Sequence, residues 1–110
     1  MKKPEGFILW HIDGLGTFKA FDVFVRKGKI RKYKKRFDWL YKVHCLFAEA
    51  FQEVFKDYKY IGSEDDLHTY PIGLKVPRGF KVIRLRKHYP EDPKKAKPLI
   101  IEDLKRLVGK

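Results

Sequence analysis

The amino-acid sequence predicts a single α+β domain over residues 1–110. An antiparallel sheet built from two hairpins packs against one long central helix and a C-terminal helix, a ββα–ββα layout. Three observations carry this reading. The chain is 110 residues long and 44% hydrophobic, enough to bury a core, and its one cysteine, Cys45, leaves no internal disulfide. Its apolar residues alternate in some stretches and recur at steps of three and four in others. Turn signals, among them Lys27-Gly28 and Pro77-Arg78-Gly79, fall where the strands should reverse.

Phe7 to Asp13 (FILWHID) is β-rich and bounded by Gly6 and by Gly14-Leu15-Gly16, although so short a run is also compatible with a buried helical turn. Thr17 to Val25 alternates, with Phe21, Val23 and Val25 on one face and Ala20, Asp22 and Phe24 on the other. Lys29 to Lys35 reads as a returning strand. Phe37 to Asp57 has the strongest helical period: Leu40, Val43, Phe47, Phe51 and Val54, widened by Leu46, Ala50 and Phe55, with Asp38 placed to cap it. Tyr58 to His68 reads as a connector. Thr69 to Val76 and Phe80 to Lys87 form the second hairpin, with Pro71 confining the first strand to an edge or delaying its start. In the second, Ile83 and Leu85 share one face while Val82, Arg84 and Arg86 share the other. Residues 89–97 read as a solvated linker. A helix over 98–108 follows, with Pro98 at its first position and Ile100, Ile101, Leu104, Leu107 and Val108 as its stripe.

Charge is the main functional signal. The formal net charge is +12. Arg26 to Arg36 carries eight cations and no acid: Arg26, Lys27, Lys29, Arg31, Lys32, Lys34, Lys35 and Arg36. Lys75 to Lys87 carries six more: Lys75, Arg78, Lys81, Arg84, Arg86 and Lys87. Removing the first run leaves +4, and removing both leaves −2, so the basicity is concentrated in two stretches. As a strand, Lys29 to Arg36 has no face apolar enough for a core, because burying so many ammonium groups is prohibitive. It is therefore expected to be a solvated edge or a projecting hairpin arm over about 26–36. Lysines on an edge strand also block aggregation, but fourteen cations in two runs exceed that need.

These runs predict a nucleic-acid partner, DNA favoured over RNA, held through phosphates by Arg26, Lys27, Lys29, Arg31, Lys32, Lys34, Lys35, Arg36, Arg78, Lys81, Arg84, Arg86 and Lys87. Tyr33, with Tyr41 or Trp39, offers rings for stacking, although all three, Trp39 above all, are expected mainly as core or boundary residues. No helix carries a basic recognition face, which disfavours helix-turn-helix docking. The two runs should face one surface. A homodimer is compatible with the sequence. An alternative reading is an interaction protein, such as an inhibitor or a virion component, that binds an acidic partner.

Catalysis has thinner support. Asp13, Asp22 and the trio Glu64-Asp65-Asp66 beside His68 could bind Mg²⁺ in a nuclease, with Asp13 the candidate catalytic residue, but no spacing has the specificity of a known motif. No cofactor is expected outside that alternative. The histidines at 11, 44, 68 and 88 have no metal-ligand spacing, and Ser63 has no nucleophile-elbow context. One stretch, Ile12-Asp13-Gly14-Leu15-Gly16-Thr17-Phe18, resembles the end of the LAGLIDADG homing-endonuclease motif and its following strand. The resemblance implies a motif helix over residues 5–14 and a similar order of strands and helices over most of the chain. The family's metal-binding acid aligns with Leu15 and its small helix-packing residue with Trp10, which implies DNA binding without the usual cleavage centre.

No run approaches a membrane span, and no signal-peptide core follows Met1-Lys2-Lys3, so the expected compartment is the cytoplasm. The absence of Asn, with one Gln, one Ser and 36% charged residues, predicts a thermophilic source, and a viral or plasmid origin fits as well.

Overall fold

The computed structural model describes residues 3–12, 19–42, 46–65 and 76–107. Among these residues four strands form one sheet: β1 (Gly6–Ile12), β2 (Lys19–Arg26), β3 (Tyr58–Asp65) and β4 (Phe80–Arg84), in the order β3-β2-β1-β4. Among the described residues three helices accompany it: α1 (Ile30–Tyr33), which continues a 3₁₀ turn over Lys27–Lys29, then α2 (Leu46–Val54) and α3 (Pro93–Leu107). The fold is α+β as expected, but the sheet is mixed. β1 pairs antiparallel with β2, β2 antiparallel with β3, and β4 lies parallel to β1.

β1 is central because Phe7, Ile8 and Leu9 are all buried, and a strand covered on both faces reads as an unbroken apolar run. That strand replaces the motif helix implied by the LAGLIDADG resemblance. Alternation in β1 and β2 then sorts side chains onto the two faces. Phe7, Leu9 and Phe24 face α2 and α3, where Phe51, Ile100 and Leu104 complete one core. Ile8, Phe21, Val23 and Val25 face the other way, against Tyr33 and Phe37.

The basic stretch 26–36 is therefore not a hairpin arm. Ile30 and Tyr33 within it, with Phe37 and Leu40 just after it, sit at helical spacing and close the second core, leaving Arg31, Lys32, Lys34, Lys35 and Arg36 exposed. The segment is a cap over one sheet face.

The same division breaks the long helix expected over 37–57. Phe37 and Leu40 pack on one face of the sheet, whereas Phe47 and Phe51 pack on the other. A single straight helix cannot lie on both. The chain instead passes along β3, where Tyr41 and Ser63 exchange backbone hydrogen bonds of 3.0 and 2.7 Å. Gly62 permits this crossing, since a Cβ there would lie 2.6 Å from that of Leu40. The proposed connector 58–68 is largely β3, with an irregularity opposite Val23 and Phe24.

The first strand of the second hairpin, 69–76, lies almost wholly outside the described residues, and the ladder observed for β4 runs to β1. The expected turn is present: the Phe80 amide donates to the Pro77 carbonyl at 3.2 Å, and Gly79 takes φ 93°, as a type II turn needs. Ile83 and Leu85 are buried and Val82, Arg84 and Arg86 exposed, matching the alternation.

α3 begins five residues earlier than expected, shortening the linker to 89–92. Asp92 caps it, accepting from the Lys94 amide at 3.0 Å, and Pro93 takes the first helical position; Pro98 lies inside the helix. Buried Asp103 anchors α3 to the chain before it. Its carboxylate accepts from the Tyr89 hydroxyl (2.6 Å) and Arg106 (2.5 Å) and pairs with Lys87 (3.1 Å). Burial alone would raise the Asp103 pKa, but those donors outweigh it and hold the carboxyl below its ordinary value. A folded pKa below the unfolded one stabilises above the ordinary carboxylate pKa, and the gain is lost as pH falls through the folded value. In acid denaturation, Asp103→Asn should therefore be less stable than the parent at pH 7 and should lose less stability below about pH 4. Parallel pH profiles would count against this role.

Candidate nucleic-acid interface

At the N-terminal end of β1, Gly6 pairs with Val25 of β2 and with Phe80 of β4. That register sets Arg26, Lys29 and Lys81 around one open depression of about 660 Å³, with Lys3, Glu5 and Gly79 also on its wall. Cations from both basic runs thus meet on a common surface. The two acids nearby are already engaged. Glu5 accepts from the Tyr33 hydroxyl and from Lys32 (3.2 Å), and these bonds, Tyr33's first, hold its carboxyl below the ordinary value. Asp57 pairs with Lys3 at 2.8 Å. Arg26, Lys29 and Lys81 give the depression its positive character.

Two more cations of the second run lie at the opposite end of the β1–β4 pair. Arg84 and Arg86 line a second, smaller depression of about 330 Å³ with Trp10 and His11. The Arg84 guanidinium sits 5.8 Å from the Trp10 ring centroid, a cation–π contact that fixes its head. Trp10 pairs with Arg84 four positions along from Gly6, so the two depressions are roughly 13 Å apart at the rise of a β-strand.

The remaining predicted residues divide by role. Lys27, Arg31, Lys34, Lys35, Arg36 and Arg78 are exposed. Lys32 is held by Glu5, and Lys87 by Asp103. Tyr33 is no stacking ring: it is 6% exposed and packs in the core. Trp39 and Tyr41 are the reverse, at 46% and 59% exposure. Lys3 and Trp10 belong to the surface without belonging to either basic run.

Among the described residues the acidic candidates do not converge. Asp13 and Asp66 lie outside the described residues. Glu64 is buried in β3. Asp22 is buried in a polar chain: its Oδ2 lies 3.0 Å from His11 Nε2, its Oδ1 accepts from Ser63 Oγ at 2.5 Å, and Ser63 Oγ also meets the Tyr60 hydroxyl at 2.5 Å. The His11 ring stacks on Phe47 at 4.0 Å, and its Nδ1 is buried without a hydrogen-bond partner among the described residues. A buried bare lone pair is easier to tolerate than a buried bare N–H, so the proton belongs on Nε2, donated to Asp22. A serine nucleophile needs the imidazole between serine and carboxylate. Here the carboxylate is in the middle, so His11 is not placed to take the Ser63 proton. Among the described residues no three His, Cys, Asp or Glu side chains group as a metal site.

Among the described residues, no helix is long and apolar enough to cross a membrane. Neither a family model, nor a curated protein, nor a solved structure matches the chain.

Proposed function

We propose that this chain is a small nucleic-acid-binding protein that holds duplex DNA through its phosphates. One observation carries the reading: Arg26 and Lys29 of the first basic run and Lys81 of the second, more than fifty positions further along the chain, line a single depression. Edge protection would not require them to converge. The cap that follows Arg26 adds to the same charge, with Lys27, Arg31, Lys34 and Lys35 all exposed. Side chains of this kind neutralise phosphates and release condensed counterions, and they carry no base code. Binding through them is sequence-tolerant and strongly dependent on salt.

The test is a titration of fluorescent duplex DNA over a salt series. Three to seven phosphate contacts predict a slope of log K against log salt of roughly −3 to −6. A flat line, or no binding at low salt, would overturn the proposal and would leave an acidic protein as the partner to seek.

A further inference from the structure

We propose that Trp39 and Tyr41 form a stacking platform for unpaired bases, so that the preferred ligand is duplex carrying a single-stranded tail. This rests on the nucleic-acid reading above and adds the part of the ligand that phosphate contacts leave unspecified. The first support is exposure. The chain is 15% aromatic, yet among its described residues the only large exposed hydrophobics that are aromatic are Trp39 and Tyr41, two positions apart. Leu40 between them turns inward against the second core. Its neighbours on either side are left facing solvent.

The second support is that both positions are fixed in advance. Trp39 donates its indole N–H to the Arg36 carbonyl at 2.9 Å. The Tyr41 backbone is tied to Ser63 by two hydrogen bonds. An indole held in this way, beside a tyrosine whose backbone is fixed, loses little freedom when a base arrives, which is the usual advantage of a pre-organised site. The third support is charge. Lys34, Lys35 and Arg36 precede the rings and Lys42 follows, all exposed, with Asp38 the single acid from 31 to 42. A strand whose phosphates follow the cap would pass the two rings.

Chemistry then selects the ligand. A base inside a duplex has both faces covered by its neighbours, so an aromatic side chain has nothing to stack on. An unpaired base offers a free face whatever its identity, and stacking on it is sequence-tolerant. Tyr33 cannot serve, because it is buried.

The experiment compares a blunt DNA duplex with the same duplex carrying a short oligo-dT or oligo-U tail, at one salt concentration. The parent should bind the tailed forms about tenfold more tightly. Trp39→Ala and Tyr41→Ala should each remove most of that advantage, leaving blunt-duplex affinity and the salt slope unchanged. Trp39→Phe should keep most of it, which separates stacking from a fold effect. The dT and U arms show whether the sugar matters. Equal affinity of the parent for tailed and blunt duplex would overturn the inference while leaving phosphate binding intact, as would equal losses on both ligands in the alanine variants. Failure to bind either ligand would instead sink the nucleic-acid reading itself.

Discussion

Truncating Phe24 to alanine should lower the unfolding free energy by about 3–5 kcal/mol, the range for removing a fully buried phenylalanine. Phe24 is completely buried on β2 and stacks on Phe51 of α2 with ring centroids 3.9 Å apart, with Tyr60 of β3 at 5.8 Å. It joins the sheet to its helical layer in the same core as Phe7, Ile100 and Leu104. The void left by its ring would be lined by side chains from several elements, none free to move in alone. At about 4–8 °C per kcal/mol for a domain of this size, the midpoint of thermal unfolding should fall by roughly 12–40 °C. Leu99→Ala, at a position 45% exposed on α3, should move it by only a degree or two. Circular dichroism melts of the two variants beside the parent make the comparison. A loss below about 1 kcal/mol for Phe24→Ala would mean that α2 does not hold the sheet through this contact.

Where one period operated alone, the sequence was easy to read. The alternation of Phe21 to Val25 placed each side chain on its observed face, and Ile83 and Leu85 turned inward as expected. Difficulty arose where two signals overlapped. In Lys29 to Arg36 the density of charge argued for a projecting strand, and hid the fact that Ile30, Tyr33, Phe37 and Leu40 follow a helical step. Long basic side chains can line the outer face of a cap whose inner face is apolar, so charge density alone does not decide between arm and cap. The stripe from Leu40 to Val54 looked continuous because hydrophobic spacing does not record which face of the sheet each residue covers. Nothing local announces that Leu40 and Leu46 pack on opposite faces of the sheet, except the glycine at 62 that makes room for Leu40 beside β3. The parallel pairing of β4 with β1 is a non-local choice with no signature in either strand. For the site, the two basic runs were legible as charge, but the part of each that converges was not. Arg26, Lys29 and Lys81 meet only because Val25 and Phe80 both register on Gly6. The exposed Trp39 ran against expectation, since a tryptophan beside an apolar stripe is more often core.

Reversing those three cations gives the largest expected effect on binding. Arg26→Glu, Lys29→Glu and Lys81→Glu together should abolish nucleic-acid binding at moderate salt. Losing three phosphate contacts alone should reduce the salt slope by roughly 2.5–3 units, and the introduced carboxylates add repulsion at the same spot. The triple variant lowers the net charge from +12 to +6, so a general loss of basicity must be told apart from loss of a site. Lys94→Glu, Lys95→Glu and Lys105→Glu serve as the control. They make the same charge change on exposed positions of α3, which packs on the other face of the sheet from the basic cap. A protein bound by its overall field would respond alike to both triples, because long-range attraction depends on total charge more than on its placement. A protein bound through the depression at the β1 terminus would lose affinity with the first and keep most of it with the second. Thermal melts of both variants check that the fold survives, which is expected because all six positions lie outside the two buried cores. Equal weakening by the two triples would remove the depression from the account and leave only the charge. Undiminished binding by the first would place the interface elsewhere on the molecule.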